Sequence, residues 1–410
     1  MRGQMAAIAG TCSSAKPQLL VVKGCFSPMG GAERDLIRNI PFLTEKFTVK
    51  VATLDPVDEL KQICKKMDID LIFPKKSWNV SKSPLSILLD YDSSSKAWKG
   101  IERLVSVIKQ SEFVHIVSGD GSMSILDLIP QSIPVHLHLL EPHRGLHEDI
   151  LHMKVNGKPK RNLRLTRALL SRARKGDVKR MKVFNSRKKS SISGNSNYTV
   201  SRIKEIYNID AGLLWPSIDL EDFSVEENDN DFIPIKGPYV VNIGRASWVK
   251  GTWETISLLK KTNLSLVHIG GGSNEDIRLL KEHAKSCEVN AWFAPRLTQN
   301  ELAIVVKNAR ASVSLAHGEP FGLTPIEAFV VGTPAIYVDE GGFKDTVIDK
   351  VNGRLIARNL IESWHEALKD SEETKNRIRW SNEGKERIRS LDLSCEKHAG
   401  RIHNIYEDLR

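Results

Sequence analysis

The feature that most constrains this chain is a recurrent alternation of short apolar runs with stretches of helical period. In the first half the runs are Gln18 to Lys23, Thr48 to Thr53, a short Asp70 to Phe73, Phe113 to Val117, Pro134 to Leu140 and Lys182 to Asn185. In the second half they are Tyr239 to Ile243, Leu264 to Ile269, Ala291 to Ala294, Ala311 to Leu315 and Ala335 to Val338. Helical patterns fall between them, at about 32–42, 96–110, 197–207, 253–260 and onward from 274, while 75–95 reads as irregular. Strands that alternate with helices imply βαβ units and a parallel sheet.

A chain of 410 residues exceeds one ordinary core, so two domains are expected. The acidic, polar run Ser224 to Asp231 has no apolar period and marks the boundary. This divides the chain into a disordered tail (1–16), a first domain (17–220), a linker (221–235), a second domain (236–388) and a C-terminal helix (389–410). The composition, 40% apolar and 27% charged, is that of a soluble globular protein. No apolar run approaches the ~18 residues of a membrane span, and Met5 to Ala9 is too short for a signal-peptide core. Five scattered cysteines without a C-x-x-C pair argue for a reducing cytoplasm and against a structural zinc site.

The most informative stretch is HGEPFGLTPIEAFVVGTPAIYVDEGG, His317 to Gly342. It starts where the run Ala311 to Leu315 ends, and Pro325 to Val331 reads as the helix that follows. A loop at the carboxyl end of a strand is where open α/β sheets bind ligands. Thr324 is expected as the N-cap with Pro325 at the first helical position, which leaves the amides near Leu323 and Thr324 available to a phosphate. Glu327, one turn in, is placed to accept hydrogen bonds from ribose hydroxyls, and Glu319 from a sugar hydroxyl. Thr324-x-x-Glu327 is equally a capping box that requires no ligand.

The whole string, with Glu319 and Glu327 at Glu-x7-Glu spacing, Phe321-Gly322 and the downstream Gly341-Gly342, resembles the donor signature of the family-4, GT-B-type retaining glycosyltransferases. The resemblance extends from Gln18 to the C-terminus and is tighter in the second domain. It implies an α/β GT-B fold: two Rossmann-like domains facing a central cleft, with the last helix packed back on the N-terminal domain. It implies transfer of a sugar from a nucleotide-diphosphate sugar to a sugar, lipid-linked or glycan hydroxyl, with retained configuration and no cofactor or metal. Arg245 and Lys250 match the pair that clamps the donor diphosphate, and a leaving diphosphate gains charge that must be stabilised. Gly30 and Gly31 match the glycine loop across the cleft, and Arg296 and Leu297 follow the strand that seats the nucleobase. The departing phosphate is then a natural recipient of the acceptor's proton. Where the family carries a cleft histidine this chain has Leu140, and His138, two residues back on the same strand face, is the nearest substitute. A rival reading keeps the fold without catalysis: a nucleotide-sugar or glycan binder held to a membrane.

Two Asp-x-Asp strings, Asp68 to Asp70 and Asp229 to Asp231, lie outside the expected donor site and are read as chance. His143 and His147 have helical i, i+4 spacing but lack the glutamate of a zincin motif, so metal binding is not expected. Net charge is +10, and residues 154–189 are dense in Lys and Arg with Asp177 the lone acid. On a helix, Leu165, Ala168, Leu169 and Ala173 fall on one side and Arg164, Arg167 and Arg174 on the other. One reading is a solvated face over a core helix; the other is an anionic membrane surface, giving a cytoplasmic protein peripheral to the inner membrane face. Nucleic acid is not expected, for want of interleaved aromatics.

Overall fold

The computed structural model describes residues 15–27, 29–78, 86–218 and 232–410. The expected tail thus falls almost wholly outside the described residues, as do Cys12, Asp229 to Asp231 and most of the expected linker.

Two all-parallel sheets form the two halves. The first runs β3-β2-β1-β4-β5-β6-β7, with β1 at Gln18–Val22, β2 at Thr48–Ala52, β3 at Asp70–Ile72, β4 at Phe113–Val117, β5 at Val135–Leu139, β6 at Ser190–Gly194 and β7 at Gly212–Leu213. The second runs β10-β9-β8-β11-β12-β13, with β8 at Tyr239–Ile243, β9 at Ser265–Ile269, β10 at Ala291–Phe293, β11 at Ala311–Ser314, β12 at Ala335–Val338 and β13 at Gly353–Ile356. The central strands are apolar because helices cover both faces: Leu20, Val21 and Val22, and likewise Val240 and Val241, are fully buried. Each sheet reverses its winding once, between β1 and β4 and between β8 and β11, opening a crevice at the strands' carboxyl ends.

Three segments depart from the sequence reading. Lys182 to Asn185 is not a strand but the last turn of a helix over Leu163–Asn185. The strand at that place is β6, Ser-Ser-Ile-Ser-Gly, whose five residues pair with β5 from Val135 to Leu139. It holds a single large apolar side chain, so tertiary pairing rather than an apolar run makes it a strand. Part of the stretch read as irregular is helix Ser86–Lys99, and a second helix, Leu104–Gln110, follows a break at Gly100. β13 and the helices Ile361–Asp370 and Thr374–Leu391 complete the second half without having been assigned.

The chain returns to the first half through its last helix, Cys395–Leu409. Ala399, Ile402 and Tyr406 pack into the first core with Leu36, Ile40 and Leu43 of helix Gly31–Lys46, and the Tyr406 ring meets those of Phe47 and Phe113. A second tie is polar. The buried carboxylate of Asp345, in the second half, accepts from the Asn197 backbone N–H (2.8 Å) and the Trp215 indole (3.3 Å) of the first. An anion at the start of helix Asn197–Tyr207 is stabilised by the helix's unpaired amides.

Candidate active site

The pairing of β8 with β11, Val240 opposite Ala311 and Val241 opposite Ser312, makes the loops after these strands neighbours. One carries Gly244 to Lys250, the other Leu315 to Leu323. The His317 amide donates to the Val249 carbonyl at 2.8 Å, and Lys250 Nζ meets Glu319 Oε2 at 2.7 Å, both side chains partly open to the cleft. The basic and acidic residues singled out 69 positions apart in the sequence therefore share one point in space.

What holds Glu319 is mostly backbone. A Cβ on Gly341 would lie 2.5 Å from the Glu319 carbonyl oxygen, and one on Gly342 would lie 2.5 Å from Phe321 Cα. The Gly342 amide uses that space to donate to the Glu319 carbonyl at 2.7 Å. The glycine pair downstream of the two glutamates is thus a packing requirement of the loop that carries the first. Beneath, Arg358 donates to the Leu315 carbonyl (2.8 Å) and pairs with Glu254 (2.9 Å) and Glu340 (2.9 Å), while Glu254 also binds His317 Nε2 at 2.7 Å. Arg358 was not foreseen. It stands at the end of β13, a strand the sequence did not reveal.

Glu327 lies in helix Thr324–Val330 and faces across to the first half, where Arg34 and Arg38 of helix Gly31–Lys46 act on it. Crowding raises its carboxyl to about 7, the two arginines pulling the other way. The expected cap is not formed: Leu323 is the N-cap, Thr324 is the first helical residue, and no side chain closes the helix start. The Ile326 and Glu327 amides, which a Thr324 cap would have served, donate to the Leu323 carbonyl at 3.0 Å. The Thr324 hydroxyl instead reaches the buried Tyr337 phenol, which also pairs with Ser312 at 2.7 Å.

The remaining candidates divide. Gly30 and Gly31 come together with the loop after β11, since a Cβ on Gly31 would sit 3.1 Å from Leu323 Cδ1. Gly30 N–H is engaged by Glu33 at 2.8 Å, and Glu33 is paired with buried Lys23 at 3.0 Å. Gly322, at φ +82, leaves room for the Phe343 ring. Arg245 is exposed at the head of its loop. Arg296 is exposed beyond β10 at the sheet edge, and Leu297 packs partly into the core there. Phe321 is a correction: its ring is 3% exposed and belongs to the core, so only its backbone can face a ligand.

His138 is a second correction. It is 2% exposed, and its ring lies beside those of His136, His115 and, from the last helix, His398. Burial holds its pKa well below the ordinary histidine range, and it does not line the cleft. Strand alternation correctly sets His138 on the face of Leu140, but that face is covered by the returning helix. His147 is tied to Asp177 at 2.8 Å. Asp70 pairs with Arg103 at the far edge of the first sheet. Among the described residues no group of three His, Cys, Asp or Glu is arranged to hold a metal ion.

Opposite the loop after β11, the ends of β1, β4 and β5 enclose a cavity of about 420 Å³ lined by Lys23, Asp120, Leu140, Glu141, Arg144 and Arg180, among others. Arg144 spans to the second half, donating to the His317 carbonyl at 2.8 Å while paired with Glu148 at 2.8 Å. The Ser196 hydroxyl donates to the Pro320 carbonyl next to Glu319.

Two Rossmann-like halves with facing crevices, joined by a returning C-terminal helix, define the GT-B class of fold. Solved structures bear this out along nearly the whole chain. Sucrose-phosphate synthase from Thermosynechococcus elongatus aligns with a TM-score of 0.72 at 16% identity over 96% of this chain and 99% of its own. Anabaena HepE in complex with UDP and glucose aligns with a TM-score of 0.68 at 14% identity over 96% and 100%. Residues 225–387 match the family described as Glycosyl transferases group 1. A D-inositol 3-phosphate glycosyltransferase of Xylanimonas cellulosilytica is 29% identical over 33% of this chain and 34% of its own length. A glycogen synthase of Mycobacterium tuberculosis is 31% identical over 29% and 30%. The match thus spans about a third of these curated relatives.

Proposed function

We propose that the protein is a glycosyltransferase that moves a sugar from a nucleotide-diphosphate sugar to a hydroxyl acceptor, with retained configuration and without a metal. The observation that carries this reading is the Lys250–Glu319 contact at the β8/β11 crevice. With donor bound, the Lys250 ammonium and the exposed Arg245 guanidinium take the diphosphate, Glu319 is released to the sugar hydroxyls, and Glu327 accepts from the ribose. Charge on the leaving diphosphate is then met by groups already in place. The test is a panel of nucleotide sugars: one should raise the melting temperature and be turned over, and stabilisation by none would sink the proposal.

The acceptor side carries a membrane reading as well. In helix Leu163–Asn185, Leu165 and Leu169 are 60% and 54% exposed, so the apolar stripe does not cover the core. Arg167 pairs with Asp149 and Arg174 donates to the Leu146 carbonyl, which leaves Arg161, Arg164 and Arg172 beside the exposed leucines. Exposed leucines flanked by arginines suit an anionic lipid surface, at roughly 1 kcal/mol per basic residue near the headgroups. Among the described residues no helix is long and apolar enough to cross a membrane.

A further inference from the structure

The loop that carries Lys250 is held from two sides. From its own half, the Val249 carbonyl accepts from the His317 amide at 2.8 Å. The His317 ring, fixed by Glu254 at 2.7 Å, stacks on the Trp248 indole with centroids 5.1 Å apart. Trp248 opens the single helical turn Trp248–Lys250, and the Gly251 amide closes it on the Trp248 carbonyl at 2.9 Å. The indole and the Lys250 ammonium therefore stand on one short, fixed piece of backbone.

The second hold comes from the first half. Between the turn Ile150–His152 and helix Leu163–Asn185, residues 153–160 form a small hairpin. Met153 pairs antiparallel with Pro159, the Lys154 amide donates to the Lys158 carbonyl at 2.8 Å, and the Lys160 amide donates to the His152 carbonyl at 2.8 Å. The His152 ring ties the base of the hairpin to the Gly145 carbonyl at 3.0 Å. Its tip leaves the half it belongs to. Val155 is 1% exposed and lies in the core of the second half, with Ala246, Leu315 and Ala316 from the two loops of the crevice. Gly157, at φ +74, lies against Trp248: a Cβ there would come between 2.8 and 3.0 Å from three atoms of the indole's six-membered ring.

We propose that this hairpin is a strap by which the acceptor half positions Lys250 for the donor. Val155 and Gly157 seat the Trp248 indole against His317, and the turn that begins at Trp248 then presents the ammonium to the diphosphate. The assignment rests on the glycosyltransferase reading above and adds to it a positioning residue, Trp248, with its partner from the opposite half. A loop freed from the strap samples arrangements in which Lys250 is displaced, so apparent donor affinity falls in proportion to the competent fraction. Bound donor restores the arrangement, and turnover at saturation is kept. The signature is a raised donor KM at constant kcat. Loss of Lys250 itself acts differently, because it removes a charge that the leaving diphosphate needs.

The experiment uses the full chain and a panel of UDP-, GDP- and ADP-linked glucose, mannose and N-acetylglucosamine, taking the donor with the largest thermal shift. Water serves as the acceptor; chemistry is then slow, and KM reports donor dissociation. Release of nucleoside diphosphate is measured against donor concentration for the wild type, Trp248→Phe, Trp248→Ala, Gly157→Ala and the double variant Trp248→Ala/Gly157→Ala.

Trp248→Ala and Gly157→Ala should each raise KM about tenfold or more with kcat within about twofold. Trp248→Phe keeps a ring against His317 and should stay within about threefold of the wild type. The double variant should be no worse than the more severe single one, because the added methyl then has no indole to displace. If Gly157→Ala fails to fold, Val155→Ala loosens the strap without altering its turn and should raise KM in the same way. A KM unchanged within about twofold in the folded strap and Trp248 variants, or single effects that multiply in the double variant, overturns the strap alone. A wild type that neither binds nor hydrolyses any donor of the panel overturns the glycosyltransferase reading, and this assignment with it.

Discussion

The two walls of the cleft are built in opposite ways. On the donor wall, one sheet reversal sets two loops side by side, and a glycine pair, an arginine and a histidine lock the backbone that carries Glu319. On the acceptor wall, the cavity is assembled from the ends of β1, β4 and β5 together with side chains of the helices Ser86–Lys99 and Leu163–Asn185. A wall fixed by its backbone keeps its geometry across many sequences, whereas one assembled from scattered side chains is free to vary with the acceptor. The match to the family model, confined to residues 225–387, follows the same division.

The contrast is sharpest at Lys250 and Glu319. Replacing either by alanine should lower donor turnover by about 10² to 10³, with the circular dichroism spectrum unchanged; near-normal turnover in both would erase the distinction between the walls. Asp345→Ala tests the polar tie between them. It leaves the Asn197 amide and the Trp215 indole without their carboxylate, and should cost about 1 to 3 kcal/mol in chemical denaturation. A change below about 0.3 kcal/mol would mean that the returning helix and the other contacts between the halves hold them without this tie.

A pH titration of donor affinity separates the walls again. Glu327 carries a raised carboxyl, at about 7, so below that value it is protonated and a poor acceptor for ribose hydroxyls. Affinity should therefore improve as pH rises through about 7, by up to roughly tenfold, and Glu327→Gln should flatten the curve; a parallel slope in the variant would move the titration elsewhere. The smallest effect on folding belongs to the outer face of the acceptor half. Leu165→Ser with Leu169→Ser should leave stability within about 0.5 kcal/mol yet abolish sedimentation with phosphatidylserine vesicles; retained sedimentation would disconnect this helix from any lipid surface.

The donor wall was legible because its determinants sit within one contiguous stretch. Strand, loop, helix and the glycines that pack on the loop all fall between Ala311 and Gly342, and their spacing carries the geometry. Arg358 escaped notice because it acts from 39 residues beyond Glu319, just past a strand of only four residues. On the acceptor wall the apolar-run criterion mistook Lys182 to Asn185 for a strand and missed β6, whose serines are held in the sheet by pairing with β5. His138 illustrates the limit of strand alternation. The rule gives the correct face, but only the last helix, more than 250 positions later, decides that this face is closed. The basic segment was legible as an amphipathic helix but not in its orientation, since a helical wheel sorts side chains without revealing which arc meets the protein.

Because helix Cys395–Leu409 is anchored on the first sheet's side, the donor half is topologically an insert with both of its seams in the acceptor half. Exchanging donor specificity between proteins of this architecture therefore means cutting and rejoining at two points, one ahead of Phe232 and one near Asp392, where the backbone turns at φ 48. A single-crossover hybrid would inherit a terminal helix shaped for a different host. Its Tyr406 would then have to find ring partners that a foreign scaffold has no reason to supply.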